Sequence, residues 1–333
     1  MEPRPMDRMH RELTAQLSQA GCFRRATPSA AANATFIVAC YTLAHATLLM
    51  DPGLAVRLFA IGAAAFFSVQ AGFIAHEAGH GALTRSRRAA VLLGHVFHTL
   101  LAGLSSSYFR HIHGLHHPHC NDRGRDPDMQ STFVSMYEES ARAKRGLGKL
   151  VSRHQAWLLW ILIGLQGFTL KYDGLSFVRR HPRRTRLDQA FLALHFVVWL
   201  VVPALFIGVT AALVNYALVT VLIGYYVGSI FVVNHVGTRV IEPGEAISFF
   251  EQELSVTRNL GATRLDDFVF GGVNNHVEHH LYPAMPTARL RQARRITREF
   301  CQRHGLAYRE MSWLQAAREA TLHLKAISRH VPS

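Results

Sequence analysis

Long apolar runs alternate along this chain with short polar stretches that are either strongly basic or rich in histidine. Residues 31–50 and 54–75 are each long enough to cross a hydrocarbon core of ~30 Å at ~1.5 Å per helical residue. Only Asp51-Pro52-Gly53 separates them, so they are expected to form a tight helical hairpin. Arg57 lies near the outer end of the second run, where its long side chain can reach water. Residues 189–209 and 211–234 form a second pair, with too few polar residues between them for more than a short turn. Before the first run, Leu13 and Leu17 stand one helical turn apart in a polar segment without an apolar leader core. That segment reads as a short amphipathic helix that stays in the cytoplasm.

Two further apolar stretches are less simple. Residues 89–107 start after Arg85, Arg87 and Arg88 and end before Arg110. A full crossing here would put the histidines before and after it on opposite faces, so a shallow interfacial or re-entrant helix is expected. Residues 155–170 are short and lead into Lys171, Arg179, Arg180, Arg183, Arg184 and Arg186, a basic loop that belongs on the cytoplasmic side. The predicted fold is therefore an all-α integral membrane protein. It has four transmembrane helices, interfacial helices and a cytoplasmic helical cap, with both termini inside. In domain terms, residues 1–30 form a cytoplasmic segment, 31–325 one membrane domain and 326–333 a tail. The polar parts of that domain are about 76–153 and 235–325.

Composition agrees with a membrane setting: 49% of residues are hydrophobic and 17% charged. The formal net charge of +14 comes from 36 Lys and Arg against 22 Asp and Glu. This excess lies in loops beside the apolar runs, where it sets orientation and meets anionic lipid, so no nucleic-acid partner is expected. Cys22, Cys40, Cys120 and Cys301 are scattered and form no CxxC pair. They suggest neither a disulfide framework nor a Cys-type zinc site.

The chemistry lies in the histidines. His276, His279 and His280 occupy five consecutive positions, and offsets of three and four return to one helix face. Asn274 or Asn275 is placed to cap that helix, and Pro283 with Pro286 to stop it. His113, His116 and His117 repeat the spacing, and His76 and His80 stand at i, i+4 at the end of the second run. With His235 at the mouth of the last run, nine imidazoles are expected on one face of the membrane. One zinc ion takes about four ligands, so two metal ions fit better. Imidazole suits zinc, copper, iron and nickel alike, and the ligands alone do not choose among them. Each ring must bind neutral, and Glu77, Glu278, Asp126 and Asp128 are candidate acceptors for the second ring nitrogens.

Other histidines have plainer readings. His45 and His195 lie within spans and are expected to bond to neighbouring helices. His111 and His119 flank the second group, and His95 and His98 share an apolar stretch; their part in the site is open. The motif His76-Glu77-Ala78-Gly79-His80 also satisfies HExxH, the signature of zinc metalloproteases. An intramembrane protease would leave seven histidines without a role, and it needs an acidic ligand that neither 189–209 nor 211–234 supplies.

The set HEAGH, HGLHH and HVEHH resembles the three histidine boxes of the membrane fatty acid desaturase family. The likeness continues in Asn121, Asp126-Pro127-Asp128, Thr257-Arg258-Asn259, Gly271-Gly272, the run His279 to Pro286 and the closing Cys301 to Leu306. It covers about residues 35–325 and is nearest the acyl-lipid and acyl-CoA, front-end-like branch. Front-end members commonly carry Gln where this chain has His276. The resemblance implies two iron ions held by His76, His80, His113, His116, His117, His235, His276, His279 and His280, with O2 as co-substrate and no catalytic side chain beyond the ligands. It implies desaturation of a fatty acyl chain from membrane lipid, CoA or a carrier, on the cytoplasmic face of a multi-pass protein, with a bacterial inner membrane as the expected location. Related boxes also serve hydroxylation, ketolation and alkene-forming oxidative decarboxylation. Electrons must come from a separate donor, ferredoxin- or cytochrome-like, with its reductase: His181-Pro182 is followed by Arg183-Arg184 rather than by the two glycines of a fused cytochrome domain.

Overall fold

Asp51, with a φ of 49°, turns the chain between the first two long helices of the computed structural model, which is described here for residues 5–131 and 134–332. Four helices are long and apolar enough to cross a membrane: Thr27–Leu49, Leu54–Gly79, Arg186–Ile207 and Val209–His235. They correspond to the four expected spans, each starting or ending a few residues outside the apolar run. Helix ends need no apolar side chains, so Thr27 and Arg186 begin helices that hydropathy alone would start later. Gly208, at a φ of 82°, makes the turn between the last two. Helix predominates throughout, and the protein is an all-α membrane protein. A parallel ladder of two residues, Asn259–Leu260 against Glu310–Met311, is its small sheet.

The chain forms two compact units. One contains Arg25–His111 and Ile163–Gly228, with three spans and most of the fourth. Its core joins Tyr41, Ala44, Ala60, Ile61, Ala64 and Val69 to Trp199, Val219 and Ile223. Several polar groups inside it pair across helices, as an apolar solvent favours. Trp199 Nε1 donates to Tyr41 Oη at 2.6 Å, and the Tyr41 hydroxyl donates to the Leu101 carbonyl at 3.0 Å. His45 Nε2 meets the Val198 carbonyl at 3.1 Å and His195 Nδ1 the Leu100 carbonyl at 2.7 Å, the helix-to-helix role expected of both. The stretch 89–107 is broken: helical turns over Arg87–Leu101 and over Ser106–His119 meet at 111°.

The other unit is built from the segment up to Arg24, Ile112–Leu162 and the chain from Ser229 onward. Leu13 and Leu17, on the amphipathic helix Pro5–Gln19, are fully buried against Phe250, Leu254, Val277, Leu281, Leu290 and Phe300. That core lies directly behind the short helix His276–Leu281. A long basic helix runs Thr287–Arg303, and Gly305 follows at a φ of 64°.

Candidate metal centre

The second and third histidine groups and His235 meet in this second unit. His113 and His116 lie on the helix Ser106–His116, and His117 starts the tighter turn that continues it. His235 ends the last span, and His276, His279 and His280 share one short helix. His113, His117 and His279 offer ring nitrogens within 4.8 Å of one another. A buried set of His116, Cys120, His235 and His280 does the same. The Nε2 atoms of His235 and His276 are 2.7 Å apart, and those of His113 and His117 2.9 Å apart. Two imidazoles bound about 2.1 Å from one ion at right angles stand about 3 Å apart, so these are separations that a shared cation accommodates.

Three rings are oriented by acceptors on their far nitrogen. Asp126 accepts from His116 Nδ1, at 3.0 and 3.1 Å to its two oxygens. His235 Nδ1 donates to the Val256 carbonyl at 3.1 Å and lies 3.2 Å from Cys120 Sγ. His280 Nδ1 is 2.9 Å from Glu253 Oε2. A ring whose Nδ1–H is donated presents the lone pair of Nε2, the state a metal needs. His280 Nε2 is buried, has no hydrogen-bond partner, and belongs to a ring 4.3 to 5.2 Å from those of His117, His276, His235 and His116. A buried acceptor left so is costly, and a metal ion satisfies it. A donor set of imidazoles with carboxylates behind them fits iron.

The backbone shows why the sequence arranges itself this way. Asn121 adopts a φ of 55°, which Asn tolerates, and turns the chain back after the second group. Asp126 then returns to His116 and accepts the Asn121 backbone N–H at 2.7 Å and that of Asp128 at 3.0 Å. Asn275 stands at the start of the third-group helix, but its side chain makes no capping bond. The cap comes from a distant residue: Asn259 Oδ1 accepts the Val277 N–H at 2.9 Å, and its amide donates to Glu278 Oε2 at 2.9 Å. Glu278 also accepts from Tyr308 at 2.7 Å, so this candidate acceptor faces away from the rings.

Burial dominates the electrostatics. It pushes His280 well below the usual imidazole range, reinforced by His117, His276, His235 and His116. It raises the Glu253 carboxyl to about 8, against the pull of His116. For His116 burial acts downward but is outweighed by the bond from Asp126 and by Asp128 and Glu253, which bring it to about 9.

His76 and His80 belong to the first unit. Their Nε2 atoms are 3.3 Å apart across one turn, where Leu54–Gly79 ends, and burial lowers His80 to about 4. In the same unit His95 Nδ1 faces Thr99 Oγ1 at 3.3 Å, His98 packs on Phe109 at 4.8 Å, and His111 stacks on Phe177 at 5.4 Å. Glu253 and Cys120 were not among the sequence candidates. Glu253 left a trace in the pattern, since Phe250, Glu253 and Leu254 share one face of Phe249–Val256 and a carboxylate on an apolar face needs a partner.

A helical membrane protein with imidazoles gathered and oriented in this way has side chains that could hold metal ions. Comparison with known proteins agrees and goes further. Residues 52–312 match the family model "Fatty acid desaturase". The chain is 25% identical over 269 residues to "Delta(8)-fatty-acid desaturase 2" of Arabidopsis thaliana, covering 74% of this chain and 58% of that protein. It is 25% identical to "Delta(8)-fatty-acid desaturase" of Borago officinalis, over 92% of this chain and 72% of that one. A third relative, "Acyl-lipid (9-3)-desaturase" of the same plant, is 22% identical over 97% of this chain and 77% of its own length. The chain belongs to the fatty acid desaturase family, whose named members are oxidoreductases. It spans little more than half the length of the Arabidopsis relative.

Proposed function

We propose that this protein is an O2-dependent fatty acyl desaturase that holds two iron ions with His76, His80, His113, His116, His117, His235, His276, His279 and His280. The observation that carries the reading is the buried, unpartnered Nε2 of His280 among four other imidazoles, with Glu253 holding its far nitrogen. Bound there, iron would supply the chemistry that unactivated methylenes require: O2, two electrons, two protons and two hydrogens from the acyl chain give two waters and a double bond.

The chain's own residues bind and orient. Asp126, Glu253 and the Val256 carbonyl hold three rings with Nε2 forward. Ligands at the ends of spanning helices favour an acyl chain that enters from the bilayer, with the site and both ends of the chain on the cytoplasmic side. Electrons come from a separate ferredoxin- or cytochrome-like protein and its reductase. The exposed Arg179, Arg180, Arg183, Arg184 and Arg186 suit an acidic carrier.

The test is expression in a host with a simple lipid profile, followed by mass spectrometry with double-bond localisation. A new internal alkene supports desaturation; a hydroxy acid, keto acid or terminal alkene replaces it with another reaction of the family. Purified protein should contain two irons per chain, and a single zinc would overturn the reading.

A further inference from the structure

Between Lys144 and Leu162 the chain carries Lys144, Arg145, Lys149 and Arg153 and no aspartate or glutamate. This stretch forms two short helices, Gly146–Arg153 and Gln155–Leu162. One side of the pair is anchored. Val151, Ser152, Ala156 and Leu159 are buried there, Gln155 donates to the carbonyls of Ser135 and Leu324, and Trp160 Nε1 donates to Thr321 Oγ1 at 2.9 Å.

The other side is apolar and uncovered. Leu147, Leu150, Trp157 and Ile161 are exposed to 66%, 56%, 70% and 65%. Leu147 and Leu150 stand at i, i+3 on the first helix and Trp157 and Ile161 at i, i+4 on the second, so each pair shares a face of its own helix. A water-facing surface would not carry four large exposed apolar side chains within fifteen residues, and the anchored side shows that they are not the core of this unit. Leu147 and Leu150 extend the apolar character of residues 155–170 back by two turns.

We propose that Gly146–Leu162 lies on the membrane surface, with Leu147, Leu150, Trp157 and Ile161 in the headgroup and upper acyl region and Arg145 and Lys149 against anionic headgroups. An apolar stripe flanked by cations and free of carboxylates is complementary to an anionic bilayer. The chain also runs on at Ile163 directly into the unit that carries the spanning helices. An acidic protein partner would be met by the cations but would leave the stripe unexplained.

The experiment uses the full chain in vesicles of phosphatidylcholine and phosphatidylglycerol and reads Trp157 as the difference between wild type and Trp157→Phe. Brominated phosphatidylcholine should abolish most of that difference emission, and aqueous iodide should leave it intact. Quenching by iodide and not by bromolipid overturns the proposal. So does protection from both with a benzophenone at position 150 cross-linking to protein rather than lipid, the result for a second copy or a protein partner. Arg145→Glu with Lys149→Glu should weaken bromolipid quenching in phosphatidylglycerol vesicles; unchanged quenching overturns the role of charge. None of these readouts depends on iron or on product, so they stand apart from the desaturase reading.

Discussion

Glu253 Oε2 lies 2.9 Å from His280 Nδ1, and neither side chain has any contact with solvent. This pairing ties a residue outside all three histidine motifs to a ring of the candidate metal centre. Glu253→Gln should lower iron affinity by about 10- to 100-fold, the usual effect of losing such a partner. Equilibrium titration with ferrous iron checks this, and wild-type affinity in the variant would separate Glu253 from the centre.

His280 and His111 offer a contrast within one residue type. His280→Ala removes a central ring and should lose bound iron. His111 is exposed and stacks on Phe177, so His111→Ala should keep its full complement. Metal analysis of the two purified variants decides, and equal loss from both would count against the assignment.

Close helix contact in the membrane unit depends on Gly167. A Cβ built there would stand 2.0 Å from the Thr220 carbonyl oxygen, a backbone atom that cannot swing aside. Gly167→Ala should therefore destabilise the fold by about 1–3 kcal/mol, as overpacking does. Thermal unfolding in detergent reads this directly, with Gly62→Ala, within a span and with nothing within 4 Å of the added Cβ, as the control that should not destabilise.

Glu310 gives the fold a pH dependence of known sign. Burial acts to raise its pKa, but Arg298 and Arg294, both 2.6 Å away, bring it below the usual carboxylate range. A depressed folded-state pKa contributes stability that is present above the unfolded value near ~4.3 and is lost as pH falls through the folded one. Melting temperature should thus fall on acidification to pH 4 and below, and Glu310→Gln should flatten that part of the curve. A variant with the wild-type acid limb would remove Glu310 as its source.

The spans, and the meeting of the second and third histidine groups with His235, were legible because apolar length and helical spacing are local properties of a sequence. Thr27 and Arg186 fell outside the expected spans because a helix end is set by hydrogen bonding rather than by hydropathy. Asn275 looked like the cap of the third-group helix, yet Asn259 supplies it from eighteen residues away from Val277. Glu253, Cys120 and Asn259 have no motif spacing to announce them. Only the folded chain brings them to the rings, so no local pattern could name their partners.

The N-terminal amphipathic helix has a practical consequence. Leu13 and Leu17 close the apolar layer behind His276–Leu281, although they precede the family match, which begins at residue 52. A protein trimmed to the matched region would keep all nine candidate ligand histidines and lose the back wall of the helix that carries three of them. Fusion partners and tags are therefore best joined ahead of Pro5, where they leave that wall standing.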